Sequence, residues 1–219
     1  MNIFVVYAHP DPRSFAATLK NLALDVLMKQ GHALQLSDLY GMHFKAYVSR
    51  DDFTNPLDDP IFDLQAEQRH ASETGTFSQD IMLEQQKLVW ADTVLFYFPM
   101  WWYSIPAILK GWVDRVFAYG FAYGDQYLLT GKRTMLTLTT GGPSRPYTPE
   151  KQRVINDMMD TFQRGTLHFC GMEILPPLAF YGADHATTAQ RDQWMLQYRQ
   201  VLHSLDLISP MRLNGLRLE

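Results

Sequence analysis

The chain has 219 residues, of which 47% are hydrophobic and 19% charged, a globular composition that excludes collagen, coiled coils and disordered chains. The net charge of −4 argues against nucleic acid as a partner. The single cysteine, Cys170, excludes an internal disulfide and a multi-thiolate metal site, and the seven histidines lack metal-ligand spacing. No apolar run reaches the roughly 18 residues of a membrane span. These features predict a cytoplasmic protein without a metal site that is not an integral membrane protein.

Short apolar runs alternate with longer amphipathic stretches, a pattern typical of parallel βαβ units. Strands are predicted at residues 3–8, 33–37, 93–98, 134–139 and 173–180, and helices at 16–29, 79–90, 106–117, 150–167 and 188–205. The third strand is apolar throughout, which favours a central position. Pro176 and Pro177 favour an edge position for the last strand. The sequence therefore predicts an α/β fold with a doubly wound, five-stranded parallel sheet and helices on both faces.

Residues 41–78 fit this alternation poorly. The stretch is rich in aspartate and proline, and the apolar pattern predicts no strand or helix within it. Loops of this length are usually functional or mobile. A long surface excursion is therefore expected, with disorder of part of it as the alternative. Because no repeat or interdomain linker is present, residues 1–219 are predicted to form one domain.

The loop after the first strand contains His9, Arg13 and Ser14 ahead of a helix. It has no dinucleotide-binding glycine fingerprint and no P-loop lysine. Ligands of doubly wound sheets bind at the carboxyl ends of the strands, where this loop lies. Ser14 is placed to cap the helix, whose free N–H groups, together with His9 and Arg13, would bind a phosphate. A capped, proline-stiffened turn without a ligand is the alternative.

The loop after the third strand contains three adjacent aromatic residues, Trp101, Trp102 and Tyr103, between two prolines. Neighbours in an extended loop point in different directions, so a common position in the core does not explain them. A flat ring such as isoalloxazine would gain stacking and apolar contact from aromatic walls. This loop therefore predicts a site for a flat ligand, with an oligomer contact as the alternative.

The fourth strand ends in Thr139, Thr140, Gly141 and Gly142. Two glycines let the backbone approach a ligand closely, and the threonine hydroxyls can serve a polar ring edge or a ribityl chain. A plain Gly-Gly turn is the alternative for this segment alone. Together, the three loops predict a flat, phosphate-bearing cofactor at the sheet. Cys170, in apolar surroundings, is expected to be an inert core thiol.

Several sequence blocks occur in an order that is specific to one family. They are residues 8–10 (AHP), 14–15 (SF), 98–103 (FPMWWY), 106–117 (PAILKGWVDRVF), 121–123 (FAY), 139–142 (TTGG) and 167–171 (LHFCG). With these blocks the chain resembles the NAD(P)H:quinone oxidoreductase family of flavodoxin-like flavoproteins. The resemblance implies a homodimer with shared active sites and a bound FAD, or FMN as in some smaller relatives. It also implies two-electron, ping-pong transfer of hydride from NAD(P)H through flavin N5 to quinones or similar flat acceptors.

The resemblance further implies roles for individual residues. The flavin diphosphate would be bound by His9, Ser14 and Phe15, and the ring and ribityl chain by Pro99, Met100, Trp101, Trp102 and Tyr103. The pyrimidine edge of the ring would be bound by Thr139, Thr140, Gly141, Gly142 and Tyr147. Arg191 would bind the adenylate, and Asp114 would lie near the cofactor of the neighbouring subunit. Substrate-binding residues would be Trp102, Tyr103, Gly141, Tyr123 and Phe169, with Asp125 at the pocket mouth. Tyr147, Gly141 and Trp102 are expected to be catalytic.

Three positions depart from the family pattern. Asp125 replaces a second pocket tyrosine, which would make the pocket mouth more polar. Arg153 stands where mammalian members pair the tyrosine at Tyr147 with a histidine, and Ala16 replaces a phosphate-binding asparagine. The acceptor preference, the proton relay and the choice between NADH and NADPH therefore stay open.

Two other functions are compatible with the fold that the resemblance implies. One is a regulatory subunit of a potassium efflux system; such subunits bind FMN and are shorter, so Arg191 and the excursion at 41–78 count against it. The other is a simple electron carrier like flavodoxin, which would have a strongly acidic surface, whereas the charge of −4 is mild.

Overall fold

The fold is built around a parallel sheet, described for residues 1–142 and 151–213 by a computed structural model. The strands are β1 (Asn2–Tyr7), β2 (Ala33–Asp38), β3 (Thr93–Pro99), β4 (Arg133–Thr139), β5 (Glu173–Ile174) and β6 (Leu178–Phe180). The strand order is β2-β1-β3-β4-β5, and both β5 and β6 pair with β4. This strand order is that of a doubly wound, flavodoxin-like sheet and confirms the predicted fold class.

The burial of the strands follows their order in the sheet. All residues of β3 are buried, because β3 lies between β1 and β4 and is covered on both faces. The predicted strand at 173–180 lies at the edge, but it is divided into β5 and β6. Pro176 and Pro177 cause the division, because a proline has no N–H with which to continue the ladder.

Helices cover both faces of the sheet. They are α1 (Phe15–Lys29), α2 (Leu64–Thr74), α3 (Gln79–Trp90), α4 (Ala107–Val116), α5 (Lys151–Phe162) and α6 (Thr188–His203). Side chains alternate along β1, so Ile3 and Val5 pack with α1 and α6, whereas Phe4 and Val6 pack with α2 to α5. Within residues 1–142 and 151–213, no helix has both the length and the apolar character needed to cross a membrane.

The helix α2 lies inside the stretch at 41–78, where no helix was predicted. That part of the prediction was wrong because α2 is polar and buries only Glu67, Gln68 and Ala71, so it has no apolar stripe to detect. Its ends do carry recognisable signals. Asp63 accepts the N–H groups of the first turn, and Gly75 closes the helix at φ 69°.

A buried ion-pair network holds the stretch at 41–78 against α4. The Arg115 guanidinium of α4 donates to Asp52 at 2.9 and 3.1 Å and to Asp80 of α3 at 2.7 Å. The side chains of Arg115 and Asp52 are each only 2% exposed. Lys45 adds a second cation, 2.9 Å from Asp52. Because a buried charge is stable only when it is paired, this network fixes where the segment packs.

The same segment approaches α4 most closely at Gly111. A Cβ atom at this position would lie 2.2 Å from the carbonyl oxygen of Ala46, a backbone atom that cannot rotate away. Glycine is therefore required here because the two backbones touch.

We expect Gly111→Ala to lower the free energy of unfolding by about 1–3 kcal/mol, because the added methyl must push the two backbones apart. Urea unfolding followed by circular dichroism measures this change. Gly165→Ala is the matched control, since a Cβ at that glycine would meet no described residue within 4 Å. Equal unfolding midpoints for the two variants would contradict the close contact.

Candidate functional site

The three loops predicted to form the site meet at the carboxyl edge of the sheet. Strand β3 pairs with β1 on one side and with β4 on the other, so the three strands end side by side. Two hydrogen bonds continue this contact into the loops: Ala8 N–H to Tyr97 O at 2.9 Å and Met100 N–H to Thr139 O at 2.8 Å. Adjacent strands thus bring together segments that are far apart in the sequence.

His9 presents a neutral hydrogen-bond donor in the first loop. Its Nδ1 accepts the N–H of Asp11 at 3.0 Å, so the ring proton is on Nε2. Burial lowers the pKa of the His9 imidazole, which therefore stays neutral at pH 7. The ring lies beside Trp101, with the two centroids 6.4 Å apart.

The start of α1 offers free backbone amides next to His9. Ser14 is the N-cap, as predicted, and its Oγ accepts the N–H of Ala17 at 3.1 Å. The N–H groups of Phe15 and Ala16 have no acceptor within the helix, because the first turn has none to offer. Such an end attracts an anion through these donors and through the helix dipole.

Arg191 of α6 reaches the same helix start. Its guanidinium lies over the Phe15 ring, 5.7 Å from the centroid, and its Nη2 donates to Ala183 O at 2.7 Å. The Nε atom of Arg191 is buried and has no hydrogen-bond partner among the described residues. The edges and faces of Phe180 and Trp194 enclose Phe15. An immobilised cation, whose buried Nε is an unused donor among the described residues, therefore lies beside the free amides.

The aromatic residues after β3 are exposed to solvent. Trp102 is 95% exposed, and Trp101 and Tyr103 are exposed to a smaller extent. Trp102 and Tyr103 have φ values of 50° and 58°, which are costly for bulky side chains. Mutual backbone hydrogen bonds between Trp101 and Ser104 close this turn. The protein holds a strained turn that presents flat apolar surfaces to the outside, as expected for a surface that binds a ring or a second chain.

The segment after β4 is fixed by Thr140. Its N–H donates to Phe180 O at 3.0 Å, and its Oγ1 accepts from Gly182 N–H at 3.1 Å and donates to Gly142 O at 3.2 Å. A Cβ atom at Gly142 would meet no described residue within 4 Å. The backbone at Gly141 and Gly142 is therefore fixed through Thr140 and exposed among the described residues.

A second group of predicted site residues lies at the opposite edge of the sheet. The rings of Tyr123 and Phe169 are 5.7 Å apart and, together with Asp114, line a groove of about 340 Å³. These residues lie at or beyond the ends of α4 and α5, which return toward the amino edge. The seven residues of β4 separate the two edges by roughly 20 Å. One chain therefore does not bring Tyr123 and Phe169 to the exposed Trp102.

Three charged or polar site residues need separate mention. Asp125 forms an ion pair with Arg69 of α2, with 3.2 Å between its Oδ2 and the arginine Nε. Asp114 pairs with Lys110 one turn earlier on α4. Tyr147 belongs to residues 143–150 and lies outside the described residues, as does the side chain of Arg153.

The structure adds contacts that the sequence did not suggest. Trp194 and Phe180 enclose Phe15, and Gln68 and Arg69 contact the loop that carries Tyr123. Trp194 lies three residues after Arg191, a spacing that places both side chains on one face of the helix. This spacing would have identified Trp194 as a neighbour of the site. Nothing in the sequence pointed to Gln68 or Arg69, because α2 itself was not predicted.

Comparison with known proteins places these features in a family. A sequence model described as flavodoxin-like fold matches residues 1–202. The Homo sapiens ribosyldihydronicotinamide dehydrogenase (quinone) is 39% identical over 93% of this chain and 91% of its own length. The Rattus norvegicus NAD(P)H dehydrogenase (quinone) 1 is 38% identical over 94% of this chain and 78% of its own. A crystal structure of a Klebsiella pneumoniae protein assigned as a quinone reductase has a TM-score of 0.90 and 40% identity, over 98% of this chain and 90% of its own. The chain therefore belongs to the NAD(P)H:quinone oxidoreductase family of flavodoxin-like oxidoreductases.

Proposed function

We propose that the protein is an FAD-dependent NAD(P)H:quinone oxidoreductase that works as a homodimer by a ping-pong mechanism. The observation that carries this proposal is the convergence at one sheet edge of free helix amides, a neutral His9 donor, exposed aromatic rings and, among the described residues, an exposed backbone at Gly142. The names of the relatives, which are dehydrogenases acting on quinones, support the reaction.

The residues at the carboxyl edge fit a flavin. The amides of Phe15 and Ala16 would bind a phosphate, and His9 would donate to it through Nε2. The aromatic surface around Trp102 would support the ring, while the backbone beside Gly142 would meet its polar edge. When bound, the flavin accepts a hydride from NAD(P)H and passes it to the acceptor.

Arg191 favours FAD over FMN. FMN ends at one phosphate, which would bind at the start of α1. FAD continues from there into a second phosphate and adenosine. Arg191 lies over the Phe15 ring at this helix start, and its buried Nε has no partner among the described residues, so it could donate to the second phosphate. A cavity of about 450 Å³ lined by Gly182, Thr187 and Trp194 follows along α6 and offers room for a nucleoside. We therefore assign Arg191 to the second phosphate.

The substrate pocket requires two copies of the chain in this proposal. The Tyr123 and Phe169 groove of one chain would cover the aromatic turn and Gly141 of the other, which excludes water from the ring. Two-fold symmetry would form two such pockets in a dimer. In the proposed ping-pong order each pocket would hold one flat molecule at a time, so the nicotinamide would leave before the acceptor enters.

A cytoplasmic location also belongs to the proposal. Cys170 is buried, and burial raises the pKa of its thiol to about 12, which suppresses the reactive thiolate. A lone thiol of this kind stays reduced in the cytoplasm. The names of the relatives give no support to a regulatory subunit or an electron carrier.

The direct test is chemical identification of the bound flavin followed by anaerobic titration. The protein is purified, the flavin is released and separated by chromatography, and the intact protein is titrated with NADPH and then menadione. We expect released FAD, bleaching by NADPH and recovery of colour with the quinone. A protein without flavin, or a flavin that neither NADPH nor NADH reduces, would contradict the proposal.

For Arg191→Ala we expect FAD binding to weaken about tenfold or more, because a charge-assisted hydrogen bond is lost, with little change in FMN binding. Reconstitution of the apoprotein with each flavin, followed by fluorescence quenching, gives both dissociation constants. Arg199→Ala, an exposed arginine on the same helix, is the control. An equal loss of FAD and FMN binding would remove the second-phosphate role.

In Trp102→Ala we expect a reduced flavin content or a slower menadione reduction, because the ring loses an apolar surface. The thermal midpoint of the flavin-free protein should change little, since the side chain is 95% exposed in the single chain. Leu196→Ala, another exposed apolar residue, serves as the control. Unchanged flavin content together with an unchanged rate would place the ring elsewhere.

A further inference from the structure

We propose that Gln68 and Arg69 of α2 are positioning residues for Tyr123, and that Asp125 serves this arrangement instead of contacting the acceptor. We call these two α2 residues the α2 clamp. The proposal rests on the proposed function, in which Tyr123 forms a wall of the quinone pocket.

Gln68 bridges the end of α4 and the loop that follows it. Its side chain is buried, with the Oε1 accepting Tyr119 N–H at 3.0 Å and the Nε2 donating to Asp114 O at 3.3 Å. The Asp114 carbonyl is among the last four of α4, which lack partners within the helix. One amide thus satisfies a helix end and fixes the first residues of the loop.

Arg69 holds the same loop at two further points. Its guanidinium lies over the Tyr119 ring, 4.5 Å from the centroid, and donates to the Tyr119 hydroxyl. Its Nε is 3.2 Å from Asp125 Oδ2, and the Tyr119 hydroxyl donates to the other carboxylate oxygen at 3.2 Å. Asp125 is thus engaged by α2 and by the loop itself.

The α2 clamp holds Tyr119 and Asp125, the residues on either side of Tyr123 in the loop. Tyr119 and Tyr123 are connected by an isolated bridge and by edge-to-face packing at 5.4 Å, and Tyr123 continues the contact to Phe169 at 5.7 Å. Gly124 has a φ of 86°, and a Cβ there would lie 2.5 Å from the Tyr119 ring. The loop therefore turns tightly around Tyr119, and holding Tyr119 and Asp125 sets the position of Tyr123.

The test compares two acceptors on the same holoenzyme samples. Menadione must stack in the pocket, whereas ferricyanide is a small inorganic oxidant that exchanges electrons without stacking. The ratio of their kcat/KM values does not depend on the folded fraction or on flavin occupancy. A loss of stability alone leaves this ratio unchanged, and an exposed ion pair contributes little to stability in any case.

We expect Gln68→Ala and Arg69→Asp to lower the menadione-to-ferricyanide ratio about fivefold or more, because the pocket wall is no longer held in place. The double variant Arg69→Asp with Asp125→Arg should restore the ratio, since it rebuilds the ion pair in reverse. Gln65→Ala, an exposed glutamine on the same helix, should leave the ratio unchanged.

Other outcomes would overturn the proposal. An unchanged ratio in Gln68→Ala and Arg69→Asp would show that α2 does not position the wall. An effect of Asp125→Asn that Arg69→Ala does not share would show that Asp125 meets the acceptor directly. A wild-type enzyme that reduces no quinone would overturn the proposed function instead. In that case hydrogen exchange of the Tyr119 amide decides the clamp alone: faster exchange in Gln68→Ala than in Gln65→Ala supports it, and equal exchange overturns it.

Discussion

A buried guanidinium governs how the long segment between β2 and α3 packs. Arg115 cannot remain charged inside the protein without partners, and Asp52 and Asp80 supply them from that segment and from the start of α3. Once Asp52 is fixed, the Ala46 backbone lies on Gly111, and α2 lies across the end of α4. The position of the Tyr119 to Asp125 loop follows from this packing. A polar network at the end of α4 thus shapes one half of the candidate site.

The topology of the sheet explains why the candidate site is divided. In a doubly wound sheet each strand ends at the carboxyl edge, and each helix returns the chain to the amino edge. The loops after β1, β3 and β4 therefore share one edge, while Tyr123 and Phe169, which follow α4 and α5, lie at the other. In the proposed function, the exposed turn at Trp102 and the groove at Tyr123 would therefore form one pocket only between two chains. Residues that the family resemblance assigns to one pocket, such as Trp102 and Tyr123, therefore need not be close within one chain.

The sequence predicted those elements whose signals are local. The buried strand β3 and the helix at 79–90 follow from apolar periodicity, Ser14 from its capping chemistry, and the edge strand from its two prolines. The helix α2 was missed because it is polar on most of its surface and so lacks the apolar periodicity that predicts a helix. Its two capping residues alone do not predict a helix between them.

Contacts between distant segments were beyond local signals. Asp125 was interpreted as a polar group at the pocket mouth because only its place in a family block was known, whereas its partner Arg69 lies 56 positions earlier on the unpredicted helix. In the sequence, Gly111 was known only as part of a family block. The structure shows that the backbone of Ala46 lies against it. The family resemblance thus named candidate residues for the site, but not the contacts that hold them in place.

Subunit complementation tests the divided site most directly. Chains carrying Trp102→Ala and Tyr123→Ala would be produced with different affinity tags, and the mixed dimer purified through both. One of its two pockets then combines an intact Trp102 from one chain with an intact Tyr123 from the other, so we expect about half of the wild-type activity by two-fold symmetry. A mixed dimer no more active than the average of the two parent dimers, or a protein that is monomeric and fully active, would contradict a site shared between two chains.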